Sequence, residues 1–366
     1  MERLRRALPF VVAAALAISG VLAALPAASA APPSGVPASP PGLGRLSENS
    51  TSGQITGTFV SLYAPDNGTI LENYTSEGVP FFDAVAVDGY ALEEKTFIGS
   101  LVKVTGTGAS AQVHDNPSSI LKISLDSNTT ALFDLASGIN ASWGPNGTLT
   151  LAVLGSNRTA TVWTSCGPNA TSLDEANGTF TVVSTVACHV FFRSHVLDPS
   201  AEALITSAAE TRRLGAEVYV GEGPTGGIDV ATYGDAEVIV SHAGGRLVVS
   251  VASFTNSPTS VLIRFVRPAS SEATTVLVDG RPVRPADSLA DSLDATDDGV
   301  DVEYSVSAYD STGVLVVSIP SPSSHVIEIQ SGVAAGSGPA APSPLLGVAA
   351  ALALVAVAAV GLFRRR

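Results

Sequence analysis

The chain has 366 residues, with 33 acidic side chains against 19 lysines and arginines, a net charge of −14, and a mean hydropathy of +0.34. Glu2 and six arginines stand at the two ends; setting them aside leaves 32 acids against 13 bases, a net of −19 for the body. That balance repels phosphate backbones and excludes nucleic acid as a natural partner.

Arg3, Arg5 and Arg6 precede an apolar run over 7–25, followed by Pro26 and the small triplet Ala28-Ser29-Ala30. This pattern predicts a signal peptide over 1–30, with an uncleaved signal anchor as the alternative, and either one exports the body. A Pro, Ser and Gly-rich linker follows over 31–49.

From residue 50 the apolar period is two, with Val, Ile, Thr and Phe runs bounded by Gly, Pro, Asn and Ser. The expectation is an all-β, β-sandwich-like ectodomain whose first domain covers 50–197. Asn146-Gly147 and, further on, Gly244-Gly245 read as two-residue hairpin loops, since such turns need positive φ at their centre. The only tryptophans, Trp143 and Trp163, sit in strand-like contexts where core packing is the ordinary reason for them; exposed in a groove, they would instead favour carbohydrate recognition.

Export gives two other features of this domain a meaning. Cys166 and Cys188 are the only cysteines, an even count outside the cell, and are predicted to form a disulfide. Nine N-x-[ST] acceptor sites are available to glycans: Asn49, Asn67, Asn73, Asn128, Asn140, Asn146, Asn157, Asn169 and Asn177. None lies beyond Asn177, which predicts a sugar-covered N-terminal half. The C-terminal half is expected to be bare, packed near the membrane or against partner proteins.

A single helix is predicted over 198–215, with Asp198 as cap, Pro199 in the first turn, Arg212-Arg213 near the end and Gly215 at the exit. A second β domain follows over 216–330. Within it, Gly221-Glu222-Gly223-Pro224-Thr225-Gly226 matches a dinucleotide-binding loop, but the alternating run after it reads as a strand where that loop needs a helix, so a Gly-rich turn is expected. The acidic stretch at 291–304 offers Asp294, Asp297, Asp298 and Asp301 around Gly299 as a calcium loop, the one cofactor candidate, against a solvated Asp-Gly turn. No catalytic residue is assigned: Ser119-Ile120-Leu121-Lys122 lacks the companion elements of penicillin-recognising enzymes. His114, His189, His195, His242 and His325 form no ligand spacing.

A second spacer over 331–344 leads to an unbroken apolar stretch at 345–363, about 28 Å as a helix at ~1.5 Å per residue. Arg364, Arg365 and Arg366 then predict a single-pass anchor with its C-terminus in the cytoplasm. A Pro-containing motif, an apolar span and an Arg cluster together resemble the C-terminal sorting signals of archaeal and some bacterial surface proteins processed by archaeosortase or exosortase enzymes. Ser343-Pro344-Leu345-Leu346-Gly347 stands here where the best-known archaeal group has Pro-Gly-Phe. The order of runs over 212–330 likewise resembles a β-rich module of exported archaeal proteins with no characterised function. These readings imply a membrane-anchored surface glycoprotein with a structural or adhesive role toward other envelope proteins or polysaccharide. The alternatives are an ectodomain that recognises a carbohydrate, with or without hydrolysing it, and a solute receptor with a cleft between two lobes.

Overall fold

A computed structural model describes residues 43–330, apart from 145–146, 168, 196–198, 222–226, 234–235, 244–245, 254–257, 267–274, 298, 300, 310–311 and 321–323. The predicted signal peptide and the apolar stretch at 345–363 lie outside the described residues. No helix among those residues is long and apolar enough to cross a membrane.

The described chain is all-β, with two helices. Its first eight-stranded sheet runs, in spatial order, through Ser47–Glu48, Gln54–Thr56, Val60–Tyr63, Thr69–Ser76, Val79–Val87, Thr130–Leu135, Thr179–Val183 and Thr171–Asp174. The second takes Ile139–Trp143, Leu149–Val153, Thr159–Thr164, Cys188–Ser194, Leu121–Leu125, Ala109–His114, Leu101–Gly106 and Leu92–Ile98. A six-stranded third sheet follows in the order Ile228–Thr232, Leu214–Val220, Thr259–Val266, Thr312–Ile319, Glu303–Tyr309 and Arg284–Pro285. The five-stranded fourth comprises Ala236–Ala243, Arg246–Ser253, Ser324–Gln330, Thr275–Val278 and Arg281–Pro282.

Alternation along the strands sorts side chains into three apolar cores. Val60, Leu62 and Phe82 of the first sheet share one with Val104, Ile123, Val190 and Phe192 of the second. Its aromatic centre includes Phe133 stacked on Phe180 at 4.2 Å and Phe82 edge-on to Phe192 at 5.3 Å; each such side chain contributes about 1.5–3 kcal/mol by leaving water. Val218, Ile263, Leu315, Val249 and Ile327 fill the core common to the third and fourth sheets. The opposite faces of the second and third sheets, through Trp163, Phe191, Tyr219 and Leu262, form the remaining core together with Ile205 and Ala208 of helix α1 (Pro199–Glu210). The strands before and after α1 thus meet across a shared apolar core. A short helix α2 (Leu289–Ser292) is capped by Ser288, whose side chain accepts the Asp291 N–H.

Two local expectations need correction. Strands Ile139–Trp143 and Leu149–Val153 pair Trp143 with Leu149, and Gly144 N–H bonds the Thr148 carbonyl at 2.8 Å, so the loop at 145–147 has three residues, not two. Gly147, at φ +78°, suits the left-handed end of such a loop. The helix ends at Glu210, not 215, and its last turn holds no basic residue; Gly215 is buried within the strand Leu214–Val220. Elsewhere Ala243 pairs with Arg246, leaving two residues, 244–245, as the connection.

Candidate functional site

Both tryptophans of the chain line one pocket of about 470 Å³. Trp143 ends an edge strand of the second sheet and is 50% exposed, whereas Trp163, two strands inward, is 6% exposed and offers the pocket little of its ring. Core packing accounts for Trp163. Trp143 departs from it because an edge strand has no further neighbour to cover its last side chain.

The remaining lining comes from the hairpin loop at Gly147 and Thr148, from the segment leaving the strand Thr159–Thr164, and from the end of α1. The middle segment supplies Thr164, Ser165, Gly167, Asn169 and Thr171, and it is fastened firmly. Cys166 and Cys188 form the predicted disulfide, with Cα atoms 4.9 Å apart. Thr164 Oγ1 donates to the His189 carbonyl at 3.0 Å and accepts the Cys166 N–H at 2.9 Å, while Ser165 Oγ accepts the His189 N–H at 2.9 Å.

Glu210 and Arg212 enter the lining through the way α1 stops. Arg213 N–H reaches the Ala208 carbonyl at 2.8 Å and Arg212 N–H the Ala209 carbonyl at 3.1 Å, which leaves Arg212 at φ +60°. This is a Schellman end, whose left-handed position is normally glycine. An arginine there costs about 1 kcal/mol of backbone strain, a cost that persists where surrounding structure or function holds it.

Behind Trp163 lies a buried ionic cluster that fixes α1. Trp163 stacks on Phe191 at 5.3 Å and meets Tyr233 at 5.4 Å. The Tyr233 hydroxyl donates to Glu217 Oε1 at 2.6 Å and the Tyr219 hydroxyl to Glu217 Oε2 at 2.7 Å. Arg193 donates through Nε to Glu217 Oε1 at 2.7 Å and through Nη1 to Glu202 of α1. Arg264 stands 3.8 Å from Glu217 and 4.0 Å from Glu202, with its guanidinium over the Tyr219 ring at 5.4 Å. Two guanidiniums against two carboxylates leave the cluster neutral. Burial pushes the Glu217 carboxyl up, but Arg193 and Arg264 outweigh it and hold the carboxyl below its ordinary value. Burial raises both tyrosine hydroxyls, so they remain donors. A second buried node joins the strands on either side of α1, where His114 Nδ1 and Asn116 Nδ2 each lie 2.8 Å from the Asp229 carboxylate.

Three of the four predicted calcium ligands, Asp294, Asp297 and Asp301, are among the described residues. Asp294 is held by Arg213 at 2.6 Å and by Thr296, Asp301 is 4.0 Å from Arg284, and Asp298 lies outside the described residues. Asp297 shares a group with Asp291 and Glu303, whose ligand oxygens lie within 4.8 Å of one another. Eight of the nine predicted glycan acceptors are exposed, and Asn146 lies outside the described residues. After Gly221 the chain returns as the strand Ile228–Thr232, antiparallel to Leu214–Val220, in a hairpin where a dinucleotide loop would open a helix. Ser119 precedes the strand Leu121–Leu125, and its hydroxyl is buried against Ser76 at 2.8 Å.

Sequence reasoning missed Glu210, Arg212, Thr148, Thr164 and Ser165 as site residues. No motif links them, since they come together only when the helix end packs beside the edge of the second sheet.

No family model matches the chain, and no curated protein does. Among solved structures it is similar to a glycoside hydrolase family 81 protein from Clostridium thermocellum, at 10% identity and a TM-score of 0.34, over 79% of this chain. The aligned part spans 35% of that protein's length.

Proposed function

We propose that the chain is an exported, membrane-anchored surface glycoprotein whose body binds carbohydrate at the Trp143 pocket. The observation that carries this reading is the half-exposed Trp143 beside a polar lining. A pyranose ring presents an apolar C–H face and a rim of hydroxyls; an indole takes the first, and Glu210, Arg212, Thr164 and Ser165 offer donors and acceptors to the second. The volume falls within the roughly 300–1,000 Å³ of small-ligand sites. Binding is favoured over hydrolysis because Glu210 is the one carboxylate among the described lining residues, and most glycosidases need two, about 5–10 Å apart. The apolar stretch at 345–363 and the arginines after it support an anchor, and the acceptors' exposure supports glycosylation. The test is a panel of cello-, laminari-, manno-, chito- and alginate oligosaccharides presented to the purified, unglycosylated chain. One class should bind saturably, and no binding by any member would remove the reading.

A further inference from the structure

The same pocket is bordered by the chain's own glycan acceptors, and we infer that an N-linked glycan on Asn169 is a tethered ligand that closes it. The inference rests on the carbohydrate reading of the pocket. Asn169 and Thr171, the acceptor and the hydroxyl residue of one sequon, both line the cavity; Gly147 and Thr148, the last two residues of the sequon that begins at Asn146, line it as well. Asn49, Asn67, Asn73, Asn128, Asn140, Asn157 and Asn177 are exposed but take no part in the lining. Two of the nine sequons therefore converge on the place where the chain shows its one exposed tryptophan.

The acceptor is held in position. Asn169 sits at φ +66°, the Ala170 carbonyl receives the Val183 N–H at 2.8 Å, and the disulfide at Cys166 anchors the segment three residues upstream. Attachment would join Asn169 Nδ2 to the anomeric carbon of a lipid-phosphate-activated glycan delivered by the host's transferase. The phosphate carrier leaves with the bonding electron pair and the amide gives up one proton. The first ring then starts at the pocket wall, with Trp143 available to its C–H face.

Tethering decides the energetics. A short flexible link gives an effective concentration in the millimolar range, so a ring contact with a Kd of about 1 mM is filled about half the time. A free sugar then meets only the open fraction, and its apparent affinity falls about twofold, or further if the tethered ring binds better. Glycosylation at this one position thereby sets how much of the surface population can bind external carbohydrate.

The experiment compares the full chain from an N-glycosylating host with its Asn169→Gln and Thr171→Val variants, the second of which leaves the Asn169 backbone untouched. Three readouts are taken: glycopeptide mass spectrometry at Asn169, acrylamide quenching of tryptophan emission, and binding to the oligosaccharide panel. Quenching reports mainly on Trp143, because Trp163 is buried. The expected result is an occupied Asn169, lower quenching in the glycosylated protein than in either variant, and panel binding at least about twofold tighter in both variants. An unmodified Asn169, or equal quenching in all three proteins, overturns the inference. If adding Trp143→Ala to the variants abolishes panel binding while glycosylated protein and variants bind alike, the tethered-ligand inference falls and the pocket reading stands. If Trp143→Ala changes nothing, both fall.

Discussion

Replacing Arg193 by Met should destabilise the protein in a way that depends on pH. The guanidinium is fully buried and neutralises Glu202 and Glu217 jointly with Arg264. Removing it leaves two buried carboxylates facing one guanidinium whose Nε and Nη2 make no hydrogen bond among the described residues. Loss of one partner of a buried pair costs about 3–5 kcal/mol. The cheaper response is for one carboxyl to take up a proton. From an unfolded-state pKa of about 4.3, at about 1.36 kcal/mol per unit, that costs about 3.7 kcal/mol at pH 7 and about 1 kcal/mol at pH 5. The sign follows: the wild-type Glu217 carboxyl is held below its ordinary value, so its stabilisation is present above the unfolded pKa and is lost as pH falls through the folded one. In the variant a carboxyl is held above it, so the penalty grows as pH rises. Urea denaturation followed by circular dichroism at both pH values should therefore give a loss about 2.7 kcal/mol larger at pH 7 than at pH 5. Equal losses at the two pH values would refute the view that charge balance, and not packing alone, is what Arg193 supplies.

Arg212→Gly removes a left-handed arginine and should stabilise the fold by about 0.5–1 kcal/mol while weakening oligosaccharide binding, read from thermal melts and calorimetric titration; a gain in stability with unchanged affinity would make Arg212 only a helix end. Mass measurement under alkylation should find two thiols only after reduction, and the Cys166→Ser/Cys188→Ser double variant should lose about 3 kcal/mol, the estimate for a loop of this size; two free thiols in native protein would contradict the bond. Deleting the residues after 344 should release folded body into the medium, and retention of that truncation in washed membranes would place the anchor elsewhere.

The β class was legible because alternation is a local property: in Leu121–Leu125 and Thr130–Leu135 every second residue is buried, as their sequences suggest. The pairing order was not. Thr130–Leu135 lies between Val79–Val87 and Thr179–Val183, partners about fifty residues away on either side, and nothing local encodes that choice. The disulfide was legible because only two cysteines exist. The helix end was misplaced because Gly215 looked like the residue a left-handed position needs, while Arg212 occupies it. The ionic cluster did leave a trace: Arg193, Glu217 and Arg264 are each a lone charge inside an apolar strand run, in the sequences CHVFFRS, LGAEVYV and TSVLIRFV. Such a charge is costly unless paired, and three of them are a reason to look for one another. The pocket left no trace, because its walls come from residues 143–171 and 210–212 and meet only through packing.

The central claim is that Trp143 faces a sugar. Titration of the unglycosylated chain with the oligosaccharide panel, following tryptophan emission and heat, addresses it directly, with Trp143→Ala as the paired variant. The account predicts saturable binding of one saccharide class, weakened about 30-fold by Trp143→Ala, the effect of losing a contact worth about 2 kcal/mol. Urea midpoints should change little, since the side chain is half exposed. Binding that survives Trp143→Ala at full strength, or no binding by any member of the panel, would contradict it.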